Sequence, residues 1–163
     1  VMSIFVASSK MAVTSFMQNK AAMEARHVID HLTSDVRMAI SLEKNYKSYT
    51  ADKNTLILKL PSIDAQGFAI DVTSKHDYVV YDQPTIGSNV IVRKVYADTG
   101  SSRASGEEIV GRSVKPGVYA VQPDSTGEYI VYYEFASIQK HGDQVMEVPT
   151  AGSVQLRNHQ SGA

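Results

Sequence analysis

Ile29, Leu32, Val36 and Ile40 recur at spacings of three and four, which sets them on one stripe of an α-helix. The other side of that stretch is charged. Arg26 and Asp30, and likewise His31 and Asp35, stand four apart, the spacing at which side chains pair across one turn for about 0.2–0.5 kcal/mol each. Downstream the period changes to two. In NTLILKL, Leu56, Leu58 and Leu60 face one way and Thr55, Ile57 and Lys59 the other, as in a half-buried strand. HDYVVYD, NVIVRKVYAD, EYIVYYEFASI, QVMEV and SVQLR continue the pattern, with Tyr129 and Tyr133 directed inward or partly covered and Tyr132 outward. QPTIGS marks a turn through Pro84 and Gly87, KHGD (140–143) a hairpin connection, and the small polar run ADTGSSRASGE (97–107) an exposed loop. The predicted fold class is α+β, a long N-terminal helix laid by its apolar stripe on an antiparallel sheet.

The helix-breaking residues sharpen that division. The first proline is Pro61 and the first glycine Gly67, so nothing interrupts residues 1 to 45, and continuous helix is predicted from Val1 to Asn45. Such a rod is about 65–70 Å long, roughly twice the diameter of a domain of this size. Its first half should therefore project beyond the globular part. That half is also the greasiest. From Val1 to Asn19 the only charge is Lys10, and Met2, Ile4, Phe5, Val6, Met11, Val13, Phe16 and Met17 are spread around the circumference. A helix apolar all round is buried by lipid or by neighbouring helices. The segment falls slightly short of a bilayer span, and its simplest reading is the C-terminal end of a longer hydrophobic helix.

Composition narrows the partners. The chain has 163 residues, 43% of them apolar, enough for one domain with a real core. A net charge of −1 offers no electrostatic footprint for nucleic acid. No cysteine is present, which excludes disulfides, thiolate zinc sites and cysteine nucleophiles.

The chemical motifs are near misses. HVIDH puts His27 and His31 one turn apart but has Val28 where the zinc-protease motif needs glutamate. Two imidazoles at this spacing can bind a metal, but the sequence offers no obvious third ligand, so the pair reads as a solvated polar face. GEEIVGRS (106–113) has Arg112 in place of the phosphate-loop lysine, and VKPG follows where a helix must begin. GRSVK (111–115) fails the G-x-S-x-G nucleophile elbow at its last position. The chain is read as non-enzymatic, with no cofactor and no metal.

ARHVIDHLTSDVRMAISL (25–42), then NTLILKLPSIDAQGFAI, NVIVRKV and a closing TAGSVQLRN resemble, in that order and over nearly the whole chain, the type IV pilin-like proteins. The nearest group is that of the minor pilins and the J-class pseudopilins of type II secretion. Leu32, Asp35, Arg37 and Ala39 match its helix pattern l-x-x-D-x-R-x-A. Leu56, Leu58, Leu60 and Pro61 match its first strand, and Leu156, Arg157 and Asn158 its terminal Leu-Arg-Asn. The leader, cleavage site and N-terminal glutamate of that group have no counterpart within residues 1–163, so none of those positions is carried over, and the resemblance places Val1 some way into the mature helix. Many type IV pilins carry a helix breaker where this chain has none.

The resemblance implies a structural filament subunit, held in the inner membrane before assembly and then part of an extracellular or periplasmic filament, with copies of itself or related pilins as partners. Residues 1–24 would be the protruding helix and 25–163 the head. Ile4, Phe5, Val6, Val13, Phe16 and Met17 would pack between subunits, while Ile29, Leu32, Val36 and Ile40 dock the helix on its own sheet. The alternatives are a single-pass anchored extracytoplasmic binding domain that does not polymerise, and a minor pseudopilin that initiates the filament tip.

Overall fold

The computed structural model describes residues 2–70, 73–84, 88–123 and 128–156, without the side chains of 2–9 and 116–118. Helix α1 (Met2–Met38) opens the chain. It stops at Met38 rather than running on to Asn45. No breaker ends it. The Ala39 N–H donates to the carbonyls of Asp35 (2.9 Å) and Val36 (3.2 Å), tightening the last turn, and the next amide, Ile40, donates to the Lys59 carbonyl at 2.9 Å. Sheet pairing thus takes over from the helix. Strand β1 (Ser41–Leu42) continues along β4 (Leu56–Pro61), with Ser41 opposite Lys59.

The five-stranded sheet runs β1-β4-β5-β6-β7, with β5 His76–Asp82, β6 Ile91–Tyr96 and β7 Gly106–Gly111. A short hairpin, β2 (Asn45–Tyr46) and β3 (Tyr49–Thr50), lies between β1 and β4 in sequence. The second sheet is ordered β10-β9-β8, from β8 (Val114–Pro123), β9 (Tyr129–His141) and β10 (Gln144–Gln155). All strand pairs are antiparallel. One helix on antiparallel sheets is the α+β class that the pattern predicts.

A single core joins the three layers. Leu56, Leu58, Leu60, Val79, Tyr81, Ile91 and Val95 from the larger sheet meet Val131, Tyr133, Phe135, Val154 and Leu156 from around the smaller one, with α1 over both. The helix contributes Ala21, Ala25, Val28, Leu32 and Val36, at steps of four, three, four and four, followed by Ala39 just past its end. Leu32 and Val36 are fully buried, Ile29 only borders the core, and Ile40 lies beyond the helix as a half-buried residue leading into β1. The buried stripe is therefore rotated from the predicted one toward smaller side chains. Small residues let the helix axis approach the sheets closely. A Cβ added at Gly111 would lie 3.1 Å from Val28 Cγ2 and 2.9 Å from Val114 Cγ2.

Ile57, expected outward beside Thr55 and Lys59, is wholly buried, as is its cross-strand partner Val80. Segment 43–55 folds back over this outer face. Tyr46 stacks on Tyr78 with ring centroids 3.9 Å apart, and the Tyr49 hydroxyl accepts hydrogen bonds from Lys94 and Tyr96.

QVMEV and SVQLR merge into the single strand β10, which carries Pro149, and β8 carries Pro116. Both are edge strands of their sheet, where a missing amide donor is tolerated. Hairpin β9–β10 pairs His141 with Gln144 across Gly142 and Asp143, and Gly142 takes the positive φ (58°) that a two-residue turn demands at its first position. Val131, Tyr133 and Phe135 are buried and Tyr132 is exposed, as the alternation predicts, while Tyr129 is exposed. Tyr133 closes over Gly152, where an added Cβ would meet its Cζ at 2.6 Å. Gly152→Ala should lower stability by about 1–3 kcal/mol. Urea melts of the four variants that combine it with Tyr133→Leu should show the penalty relieved once the ring is gone.

Candidate functional site

Two parts of α1 do different work. From Ala21 onward one side is sealed against the sheets, whereas Lys10, Met11, Ala12, Thr14, Ser15 and Phe16 are exposed. Of the residues expected between subunits, Phe16 is 62% exposed, Val13 is half-buried and Met17 is only 3% exposed. Met17 sits one turn before Ala21 on the docked stripe and is covered by its own chain, which corrects its assignment to the outer surface. Docking therefore starts ahead of residue 25. The side chains of Ile4, Phe5 and Val6 lie outside the described residues. Phe16 and Met23 are seven apart and share one face, with Met23 about 200° around the helix from Ala21. Met23 is 74% exposed, so this face, on which Lys20 is also exposed, is turned away from the molecule's own sheets. Among the described residues no helix is long and apolar enough to cross a membrane.

Asp35 anchors the docked half. Its carboxylate is 2% exposed and accepts three bonds, from the Tyr81 hydroxyl (2.6 Å), Arg93 Nε (2.6 Å) and Arg93 Nη2 (2.9 Å). The fork geometry of guanidinium against carboxylate makes this a strong, directional tie between α1 and strands β5 and β6. Burial, then the Asp35 charge and hydrogen bond, push the Tyr81 hydroxyl well above its ordinary pKa, so it stays a donor. The hydrogen bond to Asp35 likewise raises the Arg93 pKa against the effect of burial, keeping the guanidinium charged. Asp35 thus leaves the charged outer face on which it was predicted to meet His31. Arg26 and Asp30 do meet, at 3.7 Å on the surface. Of the remaining family-pattern positions, Arg37 is exposed, Ala39 is buried, Leu156 is buried with its N–H donating to the Tyr129 carbonyl, and Arg157 and Asn158 lie outside the described residues.

A second buried carboxylate ties down the loop that follows β6, which is exposed at Thr99, Gly100, Ser102, Ala104 and Ser105 as expected. Asp77 is fully buried and accepts from Ser62 Oγ (2.9 Å), the Asp98 N–H (2.9 Å), Ser101 Oγ (2.8 Å) and Arg103 Nε (2.8 Å). Saturated with donors, it is a knot in the 97–107 segment rather than an acid or base. The sequence signal was Arg103 itself, the only charge between Asp98 and Glu107.

His31, displaced from Asp35, instead faces β7. Its Nε2 is 3.7 Å from Glu108 Oε1, the His27 ring stands edge-on to it at 4.7 Å, and Arg93 Nη1 lies 4.0 Å from Glu108 Oε2. The first six residues of GEEIVGRS form this strand, and no phosphate loop is built from them. On the outward face of the smaller sheet, Ala120, Tyr132, Glu134, Ala151 and Ser153 line an open trough of about 480 Å³, which gathers no cluster of catalytic groups. Comparison with protein-family models, with curated proteins and with solved structures finds no match to this chain.

Proposed function

We propose that the chain is a structural subunit of a type IV pilus-like or pseudopilus filament, assembling with copies of itself or related pilins through α1. The observation that carries this reading is the outward side of the helix, where the large apolar side chains of Phe16 and Met23 are mostly exposed beside Lys20 and His27 while the opposite stripe is sealed. Burying a side chain of this size is worth about 1.5–3 kcal/mol, which a neighbouring helix would supply. The order of the pilin-like motifs along the chain supports the same fold family. In this reading the protein is held at the inner membrane before assembly and lies in an extracellular or periplasmic filament afterwards. It has no enzymatic activity and no nucleic-acid partner.

The test is electron microscopy of the wild type and of Phe16→Asp with Met23→Asp. Helical filaments are expected from the wild type and none from the variant, while the melting curve of the head moves by no more than about 0.5 kcal/mol, since neither side chain is buried within the chain. Filaments of normal yield from the variant would remove this face from the assembly. A wild type that never polymerises would leave the anchored binding domain as the better reading.

A further inference from the structure

We propose that His27, His31 and Glu108 form a binding site for one divalent transition-metal ion of the zinc class, which staples α1 to strand β7. One ligand atom from each of the three side chains can be chosen so that all lie within 4.8 Å of one another. Four-coordinate zinc needs its ligand atoms about 3.3–3.5 Å apart, given bonds of about 2.0–2.1 Å. His27 and Glu108 are exposed and His31 is half-buried, so small side-chain rotations close the difference without moving backbone.

The donor set selects the ion. Two imidazoles and one carboxylate suit zinc, nickel or copper, whereas magnesium and calcium prefer all-oxygen shells. The carboxylate is also aimed. Glu108 turns Oε2 toward Arg93 and Oε1 toward His31. Arg93 is already neutralised by its two bonds to Asp35, so its charge opposes an incoming cation less than a free guanidinium would. Such an outer group orients a ligating carboxylate in metal sites generally.

The site stands independently of the filament reading. Two ligands on the helix and one on the sheet cross-link elements otherwise joined by packing, by Asp35 and by the Arg112 N–H that donates to Glu24. A fourth coordination position is left for water.

Isothermal titration of the full chain with Zn(II), alongside thermal melts, tests this. One ion per chain and a higher melting temperature are expected with Zn(II), and no response to Mg(II). Glu108→Gln should weaken binding about tenfold, and His27→Ala with His31→Ala should weaken it at least that much. The metal-free melt of Glu108→Gln should match the wild type, because that side chain is about half exposed and the substitution keeps its shape. A variant with His76, His141 and His159 all changed to alanine should bind as the wild type does. The proposal is overturned if Zn(II) fails to bind up to millimolar concentration, if the His27/His31 variant binds normally, or if His76, His141 and His159 account for the binding.

Discussion

Asp35→Ala should be among the most damaging single substitutions in the chain, costing about 3–5 kcal/mol of folding stability. The loss comes less from the ion pair than from what it leaves behind. Arg93 would remain a charge with its side chain only 17% exposed, and the Tyr81 hydroxyl would remain a buried donor facing a void. Replacing both ends tests that explanation. Asp35→Leu together with Arg93→Met should recover the part of the loss that comes from the unpaired charge, since a well-packed apolar pair can match a buried salt bridge, and leave the part due to the Tyr81 hydroxyl. Urea unfolding of the two single variants and the pair gives the coupling directly. A cost under about 1 kcal/mol for Asp35→Ala would mean that helix docking rests on apolar packing alone.

Asp77→Asn is the second, and its signature is in the pH dependence. Burial by itself raises the Asp77 carboxyl, but the Asp98 amide, Arg103, Ser101 and Ser62 outweigh it and hold the group below its ordinary value. In the unfolded chain the carboxyl returns to about 3.9, so across the acid range the unfolded state binds the extra proton. The stabilisation is therefore fully present above that value and drains away as pH falls through the lower folded one. Urea midpoints for wild type and Asp77→Asn, followed from pH 7 to pH 3, should converge on acidification. At neutral pH the variant should be weaker by about 3 kcal/mol or more, because it unpairs Arg103, whose side chain is only 13% exposed. Parallel curves would mean that Asp77 is not the titrating hub.

The helix and the two-residue period of the strands were legible because each burial pattern repeats several times in one segment. The errors share a different origin. Nothing local ends the helix at Met38, since the competing partner of Ile40 is a carbonyl nineteen residues further on. The docked stripe was misplaced because Ala21 and Ala25 carry little hydrophobic signal yet permit the closest approach. Asp35 reads as a surface charge, and Asp77 is not singled out, because their partners, Arg93 and Arg103, are distant in sequence. Likewise Glu108 reaches the two helix histidines only through the fold, from a strand that alternation did not reveal.

The edge prolines bear on how such molecules can meet. Pro149 in β10 and Pro116 in β8 each remove an amide from an outer strand of the three-stranded sheet, one on either side. An incoming strand cannot zip along those margins without a gap in its ladder. Lateral pairing of another strand through the backbone of this sheet is thereby discouraged at both of its margins.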